Sequence, residues 1–193
     1  PVRYTNANPP PVPPRRRGRG RGTRRGRNQG VARGMTVPGG SFHIFRDVEM
    51  LSLTAKDKVV VKYFTPGMTG LARLDYEAEK FSRYKITYVN ISYVTTSSMT
   101  NAGKVSFGVL SEYTDAADKY GHDEIIKLRP SHSIASWKNA TITLGPNIMP
   151  TLTQKCNEKS DDGIAFTFVA LSSVDNRGNF KFSYQIEFSF PKP

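Results

Sequence analysis

After Gly40 the polar and apolar positions of the chain follow a period of two. The C-terminal run shows it best: Phe180, Phe182, Tyr184, Ile186, Phe188 and Phe190 alternate with Lys181, Ser183, Gln185, Glu187 and Ser189. One face is apolar and the other polar, which predicts a half-buried strand. Residues 42–53 open with Phe42 and Ile44 and alternate loosely, and residues 59–64 are β-branched and aromatic. Residues 84–95 place Thr87, Val89, Ile91 and Tyr93 on one face, and residues 104–110 group Val105, Phe107 and Val109. Residues 136–144 carry Trp137, Ile142 and Leu144, with Trp137 expected in the core. Residues 164–171 are almost continuously apolar, as a strand covered on both faces would be.

Turn-forming clusters separate these runs, among them Pro66-Gly67, Gly145-Pro146-Asn147 and Asp161-Asp162-Gly163. Only two segments have helical spacing. Residues 70–84 set Leu71, Leu74, Ala78 and Phe81 three and four apart, and residues 123–128 begin with two acids that suit a helix N-terminus. Seven or eight strands and two short helices describe an all-β antiparallel sandwich or barrel. Jelly-roll and immunoglobulin-like topologies both satisfy the pattern.

Charge divides the chain in two. Residues 1–40 contain Arg3, Arg15, Arg16, Arg17, Arg19, Arg21, Arg24, Arg25, Arg27 and Arg33, with no lysine and no acid. Eighteen of the 28 basic groups remain for residues 41–193, against 16 acids, so that part carries about +2 of the total +12. The arm has almost nothing to bury and repels itself, so it is expected to be disordered in isolation. Pro9-Pro10-Pro11-Val12-Pro13-Pro14 favours extended polyproline II, a stiff spacer. Such an arm attracts polyanions: RNA, DNA or an anionic membrane surface. With no aromatic between Pro9 and Thr36, base stacking by the arm is not expected.

Other classes find little support. The single cysteine, Cys156, excludes an internal disulfide framework and fits a reducing compartment. No apolar run is long enough to span a membrane. The N-terminal residues lack the apolar core of a signal peptide, which leaves the sequon at Asn139 expected to be idle. His43, His122 and His132 are scattered, no glycine-framed nucleophile turn occurs, and the glycines between the arginines precede no helix or strand. Catalysis and small-molecule substrates are not expected.

The segment Phe81-Ser82-Arg83-Tyr84-Lys85-Ile86-Thr87-Tyr88-Val89-Asn90-Ile91 and the Ser/Thr-rich stretch from Thr95 to Gly103 carry a family resemblance. They resemble the helix-then-strand passage and following loop of luteovirus, sobemovirus and tombusvirus-like shell domains. The resemblance implies an eight-stranded jelly-roll shell domain over residues 41–193, without a projecting domain, behind an RNA-binding arm at residues 1–40. It implies a plant virus coat protein that assembles in many copies into an icosahedral shell, with T=3 as the working geometry, around single-stranded genomic RNA. The expected location is the virion, with assembly in the host cytoplasm and nuclear entry through the basic arm. It further implies that Asp115 and Asp118 supply half of a Ca2+ site at a subunit interface, because two carboxylates are too few to close a site alone. A solvated acidic loop is the other reading of the same residues. The rivals are a cellular RNA-binding protein with an Arg/Gly tail and a carbohydrate-binding or hydrolytic jelly roll.

Overall fold

The computed structural model describes residues 42–52, 56–100, 103–175 and 178–193. Two antiparallel sheets face each other. Strands β1 (Phe42–Ser52), β3 (Phe81–Val94), β6 (Ala140–Thr143) and β9 (Asn179–Pro191) form one, in the order β1-β9-β3-β6, with the two-residue β7 (Gln154–Lys155) pairing β3. Strands β2 (Val60–Tyr63), β4 (Lys104–Leu110), β5 (Ser131–Ala135) and β8 (Thr167–Ser172) form the other, in the order β2-β8-β4-β5. Successive strands mostly alternate between the sheets, which gives the jelly roll.

The core between the sheets is built from the predicted period-two faces. Phe180, Phe182, Tyr184, Ile186 and Phe188 of β9 meet Val105 and Phe107 of β4 and Phe168 of β8, all essentially inaccessible to water. The rings pack edge-on, with Phe168 and Phe182 centroids 5.3 Å apart at 83°, the arrangement aromatic quadrupoles favour. Phe190 leaves this face. Its φ of 56° breaks the alternation and leaves the side chain exposed.

The continuous apolar run at 164–171 has the expected cause. Phe168 and Ala170 of β8 point into the sandwich, while Val169 and Leu171 form a second cluster with Ala117 and Ile125 on the other side. Ile125 lies on helix α2 (His122–Lys127), and Ala117 on a 3-10 turn, Asp115–Lys119, which the sequence reading took for a loop.

Several boundaries move. Helix α1 spans only Ala72–Ala78, not 70–84, because Phe81 already pairs with Pro191 as the first residue of β3. The expected single run at 136–144 is interrupted: β5 ends at Ala135, Lys138 N–H turns back to the Ala135 carbonyl, and β6 starts at Ala140. Trp137 sits on that turn, half-buried and outside the core. Within β3, a bulge between Ile86 and Tyr88 shifts the phase of alternation. Tyr84 and Ile86 point inward before it and Val89, Ile91 and Tyr93 after it, so Thr87 does not join their face.

The loose alternation of β1 also has a physical reason. Ile44 is on the solvent side, and the inward phase holds Phe45, Asp47, Glu49 and Leu51. The two acids meet helix α1. Glu49 accepts from the backbone N–H groups of Arg73 and Leu74 at 3.0 and 3.1 Å, and Asp47 pairs with the Arg73 guanidinium at 3.1 Å. Leu71, at the N-cap, offers no side-chain cap, so a carboxylate from a distant strand satisfies the helix's free donors. Asp75 then turns back to accept from Gly67, Thr69 and Gly70 N–H, ordering the loop in which Gly67 and Gly70 take φ of 102° and 77°.

Candidate functional site

The ten arginines proposed from the sequence to contact nucleic acid, Arg3 through Arg33, lie outside the described residues. The second candidate pair, Asp115 and Asp118, is described in full. Both stand on the 3-10 turn that follows β4, with the Thr114 hydroxyl accepting from Ala116 N–H at its start. Side chains three apart eclipse on such a turn, so both carboxylates face the same side. That side is toward Tyr63 at the end of β2, whose hydroxyl is held above its ordinary pKa by burial and then by the negative charges of Asp115 and Asp118.

Asp115 is further engaged by the Tyr113 hydroxyl, which donates to its Oδ1. This bond is the main reason the Tyr113 phenol is pushed up to about 12. The Lys159 ammonium stands 4.6 Å from the Tyr63 ring centroid and 5.6 Å from that of Tyr113, a cation held over two aromatic faces. Two carboxylates, two tyrosines and a lysine thus make up an acidic corner. Among the described residues, no group of three or more His, Cys, Asp or Glu is placed to hold a metal ion. The donor set suits a hard cation in chemistry but supplies only part of a coordination shell. Tyr63 and Lys159 were not foreseen, because they are 52 and 44 residues from Asp115 and converge only through strand pairing.

The remaining chemistry-bearing side chains are structural. His122 at the start of α2 shares a 2.8 Å hydrogen bond with Ser106 Oγ, which contacts Ser133 Oγ at 2.9 Å. Ser106 is completely buried beneath α2, so this Ser–His pair ties helix to sheet. Burial first, then the nearby Lys104, lowers the imidazole pKa, and its Nε2 is buried with no hydrogen-bond partner among the described residues. His132 contacts the Thr141 carbonyl, and His43 stacks on Phe81 and pairs with Glu77. The Cys156 thiol, half-buried, is pushed up to about 12 by burial and stays protonated. No helix among the described residues is long and apolar enough to cross a membrane.

Known structures place this fold among viruses. A chain of Cocksfoot mottle virus superposes with a TM-score of 0.66 at 14% identity, covering 79% of this chain and 97% of that one. Tobacco necrosis virus gives 0.67 at 12%, covering 79% and 98%. The T=3 Penaeus vannamei nodavirus gives 0.63 at 13%, covering 88% and 60%. A comparison with curated protein sequences returns no match. The family model for luteovirus coat protein matches residues 40–191, nearly the whole jelly roll and the residues that carried the resemblance. The chain belongs to the luteovirus coat protein family, and it is a viral coat protein.

Proposed function

We propose that this coat protein assembles in many copies into an icosahedral shell of T=3 geometry and packages single-stranded genomic RNA through the arginines of residues 1–40. The observation that carries the reading is the partition of charge: ten arginines and no acid precede a domain of nearly balanced charge. Guanidinium groups keep their charge at any relevant pH and offer paired donors to phosphate oxygens. The partners are RNA and further copies of the chain, with no membrane or small-molecule substrate. The protein acts in the virion, is assembled in the host cytoplasm, and reaches the nucleus only as a consequence of the same basic arm. It is not an enzyme, a reading supported by its membership of the coat protein family.

Salt dependence tests the RNA half of the proposal. If all ten arginines contact phosphates, log affinity for single-stranded RNA falls against log salt with a slope approaching roughly −7, at about −0.7 per contact. A slope near zero in a titration of the full chain would remove the arm from RNA binding.

Asp115 and Asp118 are proposed to hold one half of a Ca2+ site completed by a neighbouring copy. Support comes from their shared orientation on the 3-10 turn and from the hard oxygen character of the donors. Particles treated with a chelator should swell or dissociate, and an Asp115→Asn/Asp118→Asn chain should show no chelator response. Particles of unchanged size after chelation would leave these acids as a solvated corner.

A further inference from the structure

The outer face of the β1-β9-β3-β6 sheet is open to solvent. A shallow, open trough runs across the sheet, lined by Arg46, Asp47, Val48, Tyr88, Ser183, Tyr184 and Gln185. Strand register fixes its walls: Arg46 of β1 and Tyr88 of β3 both stand opposite Gln185 of the central strand β9. Two strand spacings of about 4.8 Å separate the walls by roughly 10 Å.

Three observations on this face agree. Tyr88 is 43% exposed on a face that also exposes Ile44, Val48 and Met50 of β1, and it follows the one register shift in the β3–β9 ladder. Without that bulge the inward phase of Tyr84 and Ile86 would continue to Tyr88, so the irregularity turns the ring outward. Around it, Arg46, Lys85 and Lys181 project from the same face with Glu187, Asp47 borders the trough, and none of these three bases has an ion-pair partner among the described residues, while Arg83 stands beside Asp161 and Asp162. Ser183 and Gln185 on the trough floor add neutral hydrogen-bonding groups that a base edge can use.

We propose that this trough binds a segment of single-stranded RNA, with a base stacked on Tyr88 and the adjoining phosphates held by Arg46, Lys85 and Lys181. The inference rests on the RNA-packaging reading and adds a second contact of different kind. The arm counts phosphates, whereas a stacked ring responds to the base itself and keeps its grip as salt screens the arginines. The exposed Ile44, Val48 and Met50 make a second copy of the chain the alternative occupant, whereas Arg46, Lys85 and Lys181, none of them ion-paired among the described residues, favour a polyanion.

The test uses the full-length chain and a 2-aminopurine-labelled single-stranded RNA 12-mer, with inorganic polyphosphate as a base-free competitor. At high salt the wild type should retain RNA that polyphosphate of equal charge does not fully displace, with the 2-aminopurine emission quenched. Tyr88→Ser should lose the quench and roughly tenfold in high-salt affinity, while the steep salt slope at low salt persists. Tyr88→Trp should restore both, and Arg46→Gln should weaken binding several-fold without abolishing the quench. Unchanged affinity and quench in a normally folded Tyr88→Ser chain, with complete displacement by polyphosphate, would overturn the trough and leave the arm as the RNA contact. A wild-type chain that binds no RNA even at low salt would instead overturn the packaging reading itself. If Tyr88→Ser keeps full RNA affinity but blocks particle formation, the face is a contact between copies and the proposal fails.

Discussion

The two sheets of the sandwich use the same inner wall but opposite outer ones. The β2-β8-β4-β5 sheet is covered on its outer side by α2 and the 3-10 turn, so β8 is buried at all six positions. The β1-β9-β3-β6 sheet keeps a solvated outer face, so β9 alternates buried with half-buried residues along most of its length. One sheet has spent both faces on stability; the other retains a free surface on which charge and an exposed tyrosine can be placed. Residues on the covered sheet should therefore govern whether the domain folds, and residues on the open face what it binds.

The largest expected effect is in the covered sheet. Phe168 is fully buried and packs against Phe107, Phe180 and Phe182, so Phe168→Ala should cost about 3–5 kcal/mol in denaturant unfolding. A cost below about 1 kcal/mol would mean that the core collapses readily around the cavity. Next comes the link between β1 and α1. Glu49→Ala removes the acceptor for two helix N–H groups and for the Tyr184 hydroxyl at 2.6 Å, and should cost about 2 kcal/mol by thermal or urea unfolding.

A third prediction concerns acid. His122 has its pKa lowered in the folded state, so between that value and the ordinary 6.5 the unfolded chain binds the proton that the folded chain refuses. Its contribution is intact above about pH 6.5 and is lost as pH falls through the window below it. Unfolding free energy of the wild type should decline on acidification through this window more steeply than that of His122→Gln, and parallel curves would contradict the assignment. The smallest stability effect belongs to the open face: Tyr88→Ser should shift unfolding by no more than about 0.5 kcal/mol, the usual range of surface substitutions.

The same contrast explains what the sequence made legible. Period-two runs such as 180–188 and 105–109 revealed strands, because each presents one face to the core and the other to water or a cover. The pattern failed where another element supplied polar partners. Asp47 and Glu49 occupy inward positions of β1 because α1 needs acceptors there, and that need is invisible from β1 alone. It failed again at Thr87, where a bulge changes phase without any Gly or Pro to mark it. Asp115 and Asp118 were legible as a pair and Tyr113 is their neighbour in sequence, but Tyr63 and Lys159 come from β2 and from the loop before β8. Only tertiary pairing brings those residues together. Trp137, expected in the core as part of the run at 136–144, lies on a turn that the β5–β6 connection requires.

Electron microscopy of the purified full-length chain with single-stranded RNA at low salt, combined with nuclease protection, tests the central claim most directly. The account predicts closed particles of megadalton mass holding nuclease-resistant RNA. It also predicts loss of that RNA when the eight arginines of residues 15–27 are replaced by glutamine. A stable 21.5 kDa monomer at high concentration, or closed particles whose RNA content is unchanged by the arginine replacement, would contradict it.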